Sequence, residues 1–294
     1  MSDTATDPAW RWPEDQWRAA IGRVRAGRSL KPKKWKGGAR LAVAVAVELD
    51  NEALELARGG TSAAGFAEGQ YGARQGTARI LKILRKHSVP ATFFTPAVSA
   101  LLHPDSIKAV VAGGHEIALH GWSHESNDGM GAEEERNLMA GSRHALEKIM
   151  GVAPVGYRAP HGDFSPHTLS ILRDLGMLYD ATFAADDDAC ELTGNGEASG
   201  IVGIPAPSLA NDATYLGGGA VMTPDSLFEI FRRELESAYD EGGLFVPTFH
   251  PHLVGQRGRI WVLDELLKIA RSLPGVWFAS HTDVALWVKS RAAG

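Results

Sequence analysis

The chain has 294 residues, 44% hydrophobic and 22% charged, with 30 Lys+Arg against 35 Asp+Glu and a formal net charge of −5. That balance is ordinary for a globular protein and carries no excess of basic residues of the kind that tracks nucleic-acid phosphates, so no nucleic-acid partner is expected. The single cysteine, Cys190, excludes an internal disulfide framework and a multi-thiolate zinc site. No apolar run approaches the ~18 residues of a membrane span, so no membrane partner is expected either.

Residues 1–39 differ from the rest. They open with MSDTATDPAW, which lacks the basic start and apolar core of a secretory signal, so a cytoplasmic location is expected. There is room for one helix over 14–25 and no strand pattern. Trp10, Trp12, Trp17 and Trp35 suggest an arm that packs on the body or on a neighbouring subunit, and the basic run 31–36 reads as a solvated linker.

From residue 40 to 294 the pattern is regular. Short apolar, β-branched or aromatic runs recur at 41–49, 91–95, 116–120, 155–159, 178–182, 201–206, 244–250 and 276–280. Between most of them lie segments of helical period, at 73–87, 104–112, 132–150, 166–175, 224–239 and 260–272. Strand and helix in alternation imply parallel βαβ units, and near-continuous apolar strands imply cover on both faces. The fold class expected is α/β: a single irregular (β/α) barrel of about seven strands, with an open doubly wound sheet as the alternative. No GxGxxG, GxxxxGK[ST] or GxSxG segment is present, so nucleotide-binding and serine-hydrolase signatures are absent.

Reactive groups of a parallel barrel sit at the C-terminal ends of its strands. The first run ends in Glu48 and Asp50, the third in His120 followed by His124, the fourth in Arg158 followed by His161 and Asp163, and the seventh in His250 and His252. His120 and His124 with Asp50 would form a His₂-carboxylate set for a divalent metal, Zn²⁺ by default. His115 precedes its strand and belongs to the opposite end. A divalent cation brings the pKa of its water towards ~7. Glu48 is then placed to take the proton and His250 to protonate a leaving amine. Alternation along a strand lets Glu48 and Asp50 share a face. Arg158 either orients a carboxylate or binds substrate.

These segments together resemble the polysaccharide deacetylase superfamily (NodB homology domain) over nearly all of residues 38–290. Glu48-Leu49-Asp50-Asn51-Glu52 corresponds to the family's acidic pair, base first and metal ligand second. His120 and His124 in HGWSHE correspond to its two histidines. Arg158-Ala159-Pro160 matches the RxP segment whose Arg orients the base, and His250 matches the late histidine acid. The likeness is closer to an intracellular branch of peptidoglycan-deacetylase-like proteins, metal-independent allantoinases and cyclic imide hydrolases. It rests on RAPHGDFSPHTLSILRDLGMLYDAT, IVGIPAPSLANDATY and EGGLFVPTFHPHLVGQRGRI. That branch implies ring or acyl amide hydrolysis and assembly into dimers or tetramers. The chain departs from the family in having Glu48 where Asp is usual, Leu209, Asn211 and Asp212 in a segment where Trp and two Asp are usual, and Asp186-Asp187-Asp188-Ala189-Cys190 in place of DDxPY. The substrate-contact residues expected are Trp122, Pro160, His161, Asp187, Asp212 and His252.

The reading that follows is a metal-dependent hydrolase of a non-peptide C–N bond, acting on a small amide, imide or ureide. Two alternatives stand beside it: N-deacetylation of an amino-sugar polymer, and a binding protein that keeps the fold without catalysis.

Overall fold

The computed structural model describes residues 8–217 and 222–292, so residues 1–7 of the expected arm lie outside the described residues. The strands are β1 (Arg25–Ser29), β2 (Leu41–Val43), β3 (Val45–Glu48), β4 (Ala91–Thr95), β5 (Glu116–Leu119) and β6 (Gly156–Tyr157). They continue with β7 (Tyr179–Asp180), β8 (Cys190–Gly194), β9 (Glu197–Gly203), β10 (Leu244–Phe245), β11 (Thr248–Phe249) and β12 (Val276–Phe278). Only Ala44 separates β2 from β3, and Val246 and Pro247 separate β10 from β11, so each pair is one extended segment. Parallel neighbours run β11-β3-β4-β5-β6-β7-β9, while β10 and β12 flank β2. A parallel bridge between Asn211 and Thr248 joins the stretch after β9 to β11 and brings the ring round. The architecture is the α/β barrel type expected.

The core follows strand parity. Leu41, Val43, Val45, Val47 and Leu49 face outward into the large cluster under the helices, with Phe93, Ile117, Leu119, Tyr157, Phe245 and Phe249. Ala42, Ala44 and Ala46 face inward with Phe94, Ala118, Tyr179, Ala181, Val202, Ile204, Leu244 and Val246. Each large apolar side chain so buried contributes about 1.5–3 kcal/mol. The helix His281–Ala292 lies against this inner cluster through Val284, Ala285 and Val288. Continuing the inner parity past the last apolar position gives Glu48 and Asp50 after Ala46, His120 after Ala118, and His250 two positions beyond Thr248. The period of two thereby delivers ionisable groups into the barrel's mouth.

The outer helices are built to match. In Thr77–His87 the buried positions Thr77, Ile80 and Leu84 share a face, and Arg85, Lys86 and His87 occupy the last turn, where cations suit the helix dipole. In Pro224–Glu241 the Thr223 side chain accepts from the Ser226 N–H, Pro224 starts the helix, and Leu227, Phe231 and Leu235 are buried. The helices Ala63–Tyr71 and His281–Ala292 were not expected from periodicity.

One expectation for the arm is corrected. Arg25–Ser29 forms a strand, paired antiparallel to β8 in the register Ala26 to Leu192. RAGRS has no alternation of its own; the edge of the β8–β9 hairpin imposes the conformation. A side chain at Gly27 would meet Thr193 Cγ2 at 2.5 Å and the Glu191 carbonyl at 2.8 Å. The basic run lies on the surface, with Lys31, Lys33, Lys34 and Lys36 exposed, and at its start Lys31 Nζ lies 2.7 Å from the buried Asp188 carboxylate. Trp35 is 1% exposed, its Nε1–H donates to the Gly242 carbonyl at 3.2 Å, and its ring lies 6.3 Å from that of Trp277. Trp10, by contrast, is 83% exposed.

Candidate active site

The mouth of the barrel holds a cavity of about 410 Å³. Glu48, Asp50, His120, His124, Arg158 and His250 line it, together with Arg58, His161, Ser208, Asn211, Thr214 and His252. The strand ends set the first group; the second comes from loops.

Asp50 sits at the centre. Its Oδ1 is 3.6 Å from His120 Nε2 and 3.8 Å from His124 Nε2, and its Oδ2 is 3.7 Å from His250 Nε2. The Ser99 hydroxyl donates to the Asp50 carbonyl at 2.6 Å and fixes the backbone there. His120 donates from Nδ1 to the Arg158 carbonyl at 2.8 Å, which leaves the Nε2 lone pair facing Asp50. Burial lowers the His120 pKa to about 4, so the ring is neutral. Asp50 Oδ1 and His120 Nε2 are both buried and make no hydrogen bond within the protein.

These features test the donor set for a metal. Ligand atoms of a tetrahedral site with bonds of about 2.0–2.2 Å lie roughly 3.3–3.5 Å apart. The Asp50–histidine separations are slightly longer than that and too long for hydrogen bonds, and Asp50 Oδ1 and His120 Nε2 are otherwise orphaned. Asp50, His120 and His124 therefore fit a divalent cation. Glu48, Asp50 and His250 also come together within the same span, but Glu48 and His250 already engage each other and further partners.

Glu48 Oε1 accepts from Arg158 Nη1 at 2.6 Å, and Glu48 Oε2 lies 3.0 Å from His250 Nε2. The extra methylene of Glu carries the carboxylate to His250. Burial would raise the Glu48 pKa, but His250, Arg158 and His120 together hold it well below the ordinary value. Arg158 also donates from Nε to the Ala181 carbonyl at 2.6 Å and from Nη1 to Thr248 Oγ1 at 3.1 Å, and lies 4.1 Å over the Phe94 ring. On its far side His250 places Nδ1 2.6 Å from Asp212 Oδ1, and its backbone N–H donates to the same carboxylate. Burial alone would lower the His250 pKa; the charges of Asp212 and Glu48 and their hydrogen bonds raise it well above the ordinary imidazole value. An ionised Glu48 thus faces a protonated His250.

The connecting turns are tight. Gly121 has φ of +74°, and a Cβ there would meet Glu125 Oε1 at 2.7 Å and Pro160 Cγ at 2.9 Å. The Glu125 carboxylate accepts from the N–H groups of Trp122 and Ser123 at 2.8 and 2.6 Å. Asn51, His124 and His161 hold positive φ values of 47°, 67° and 59°, a conformation that costs about 1–3 kcal/mol in a non-glycine residue and clusters at functional sites.

The expected substrate-contact residues divide. His161 and His252 line the cavity, with the His161 ring 4.7 Å from that of His124. Burial, then the charge of His250, lowers the His252 pKa to about 4. Asp212 is wholly buried behind His250, so it orients that imidazole and does not face the cavity. Asp187 lines a separate cleft with Pro205, Glu234 and Val246, because the turn before β8 lies outside the ring. Pro160 is buried beside Gly121, and Trp122, 37% exposed, lies on the side of helix Ala132–Met150; neither lines the cavity. His115 lies in a cleft with Leu81, Arg85 and Val89, away from the site, as its place before β5 implied. Asn211, noted in the sequence as a departure from the family, lines the cavity, whereas sequence reasoning missed Arg58, Ser208 and Thr214, whose approach depends on loop paths that no period encodes.

Fold and site together define a barrel with an Asp-His-His donor set beside an Arg-held carboxylate and an Asp-held histidine. A family model described as polysaccharide deacetylase matches residues 63–179, which contain His120, His124 and Arg158. The chain is 34% identical over 122 residues to a peptidoglycan deacetylase of Helicobacter pylori, a match that takes in 42% of each protein. The chain thus spans about two fifths of the length of the curated relatives it first matches, 42% and 37%. A Mycobacterium smegmatis structure assigned to the polysaccharide deacetylases superposes with a TM-score of 0.84 and 33% identity, covering 91% of this chain and 96% of that one. PuuE allantoinase superposes with a TM-score of 0.78 and 26% identity, covering 87% and 92%. The chain belongs to the polysaccharide deacetylase superfamily.

Proposed function

We propose that the protein is a divalent-metal-dependent hydrolase of a non-peptide C–N bond, opening a small cyclic imide or ureide or deacylating a small N-acyl compound. One observation carries this reading: the Asp50–His120–His124 donor set, with Asp50 Oδ1 and His120 Nε2 orphaned, lies directly beside the Glu48–His250 pair. Bound there, a cation such as Zn²⁺ would make water more acidic and polarise an amide carbonyl. Glu48, ionised and steered by Arg158, takes the proton of the attacking water. His250, protonated and held by Asp212, gives a proton to the departing nitrogen. In a cyclic substrate that nitrogen stays tethered after the bond breaks. Size and lining support a small substrate, since among the described residues no Trp, Tyr or Phe lines the cavity as a sugar platform would. The proposal includes a cytoplasmic location and a homodimer or homotetramer.

A second reading, deacetylation of an amino-sugar polymer, draws on the relatives' names and on one feature. His252 also walls an adjoining cleft with Glu68, Tyr71, Arg79 and Arg257, which extends the mouth to one side.

The test combines metal analysis with a panel of hydantoins, succinimides, allantoin and N-acetylated sugars. Activity on the small amides is expected to vanish with chelation and return with Zn²⁺, Co²⁺, Mn²⁺ or Ni²⁺. Metal at a thousandfold excess over Kd stabilises by about 4 kcal/mol, so Tm rises on loading, and not in His120→Ala. Full metal content and turnover in His120→Ala would overturn the metal assignment; turnover of chito-oligomers alone would favour the second reading.

A further inference from the structure

We infer that Arg58 is the anion-recognising residue of this site, so that the molecule hydrolysed carries a carboxylate beyond its scissile amide. The inference rests on the amide-hydrolase reading above and adds the substrate's charge to it.

Arg58 follows the helix Ala53–Ala57, which starts three residues after Asp50, so the segment that supplies Asp50 also supplies the guanidinium. Its backbone N–H bonds to the Leu54 carbonyl, and Gly59, at φ of +68°, then turns the chain away. The side chain lines the cavity and, among the described residues, makes no hydrogen bond or ion pair. The contrast with Arg158 is direct. That guanidinium is held by Glu48, the Ala181 carbonyl, Thr248 and the Phe94 ring. Arg58, His161 and His252 line the same cavity, and burial, with the Arg58 charge adding to it, lowers both imidazole pKa values.

The other lining groups leave that charge uncompensated. Glu48 is committed to Arg158 and His250, and Asp50 faces the two histidines of the donor set. Ser208, Asn211 and Thr214 offer neutral hydrogen bonds. Three carboxylates (Glu48, Asp50, Asp212) set against Arg58, Arg158 and a divalent cation leave the site net positive even with His250 neutral. A positive cleft concentrates anions. A guanidinium fork matches a planar carboxylate with two parallel hydrogen bonds, which a point-charge ammonium does not reproduce.

The experiment pairs hydantoin-5-acetic acid with its amide, equal in size and differing in charge, on the zinc-loaded protein. Wild type is expected to favour the acid by about tenfold or more in kcat/KM. Arg58→Ala should bring the ratio towards one, mainly through the KM of the acid, and Arg58→Lys should fall between. Equal use of acid and amide by wild type, or an undiminished ratio in Arg58→Ala, would overturn the inference. If neither compound is hydrolysed, the hydrolase reading loses support, and Arg58 is judged by calorimetric titration with succinate. Binding to wild type that weakens about tenfold in Arg58→Ala sustains its role; equal binding to both, or none to wild type, ends it. Arg58 is exposed, so unchanged Tm values serve as the folding control.

Discussion

Asp212 has no exposed surface, and its carboxylate is shared between the backbone N–H and Nδ1 of His250. It therefore fixes both the direction and the protonation of the acid. Asn at this position keeps the shape but loses the charge, so Asp212→Asn should lower kcat by about 10²-fold or more and change KM far less. Steady-state kinetics decide it, and a kcat within about twofold of wild type would rule the role out. Asp180 shows a different balance. Burial pushes its carboxyl up to about 7, against hydrogen bonds from Thr182 and the charge of Arg158 that pull it down. A carboxyl whose folded pKa exceeds its unfolded value stabilises fully below about pH 4 and loses that contribution as pH rises through about 7. The slope is about −1.4 kcal/mol per pH unit in that window. The stability of wild type relative to Asp180→Asn, from denaturant titrations at pH 5 to 8, should fall up to pH 7 and then level; parallel curves would refute this. At this scale Glu48, Asp50, His120 and His250 were legible because each continues an inward parity already set by Ala46, Ala118 or Val246 and Thr248. Asp212 was noticed but given the wrong task, since only the Asn211–Thr248 bridge puts it behind His250.

Among the elements, those with a period of their own were readable, and Pro104–Ala112 and Ala132–Met150 keep their expected bounds. The helix His281–Ala292 was not, because it is buried along Val284, Ala285 and Val288 while Leu286 is 54% exposed, which blurs the apolar stripe. β1 was invisible for the opposite reason: its partner strand supplies the order. The segment between β1 and β2 is held by Trp35, whose loss would open a cavity beside Trp277 and free the Gly242 carbonyl. Trp35→Ala should destabilise the protein by about 3–5 kcal/mol in chemical denaturation. A loss below about 1 kcal/mol would show that the segment is dispensable.

For the molecule as a whole, strand alternation and helix period made the barrel legible, but not the way its ring is joined. That join has a consequence in time. Ala46 pairs with Thr248, and Leu41 with Val276, so the strand bearing Glu48 meets these partners only after some 200 further residues have been made. At about 5–20 residues per second, synthesis of that interval takes roughly 10–40 s. Through it, one edge of an alanine- and valine-rich strand stays unpaired, a natural target for chaperone capture and for mispairing between nascent chains. The acid–base pair is the last part of the site to exist, since Glu48 waits for His250 and Asp50 for neither.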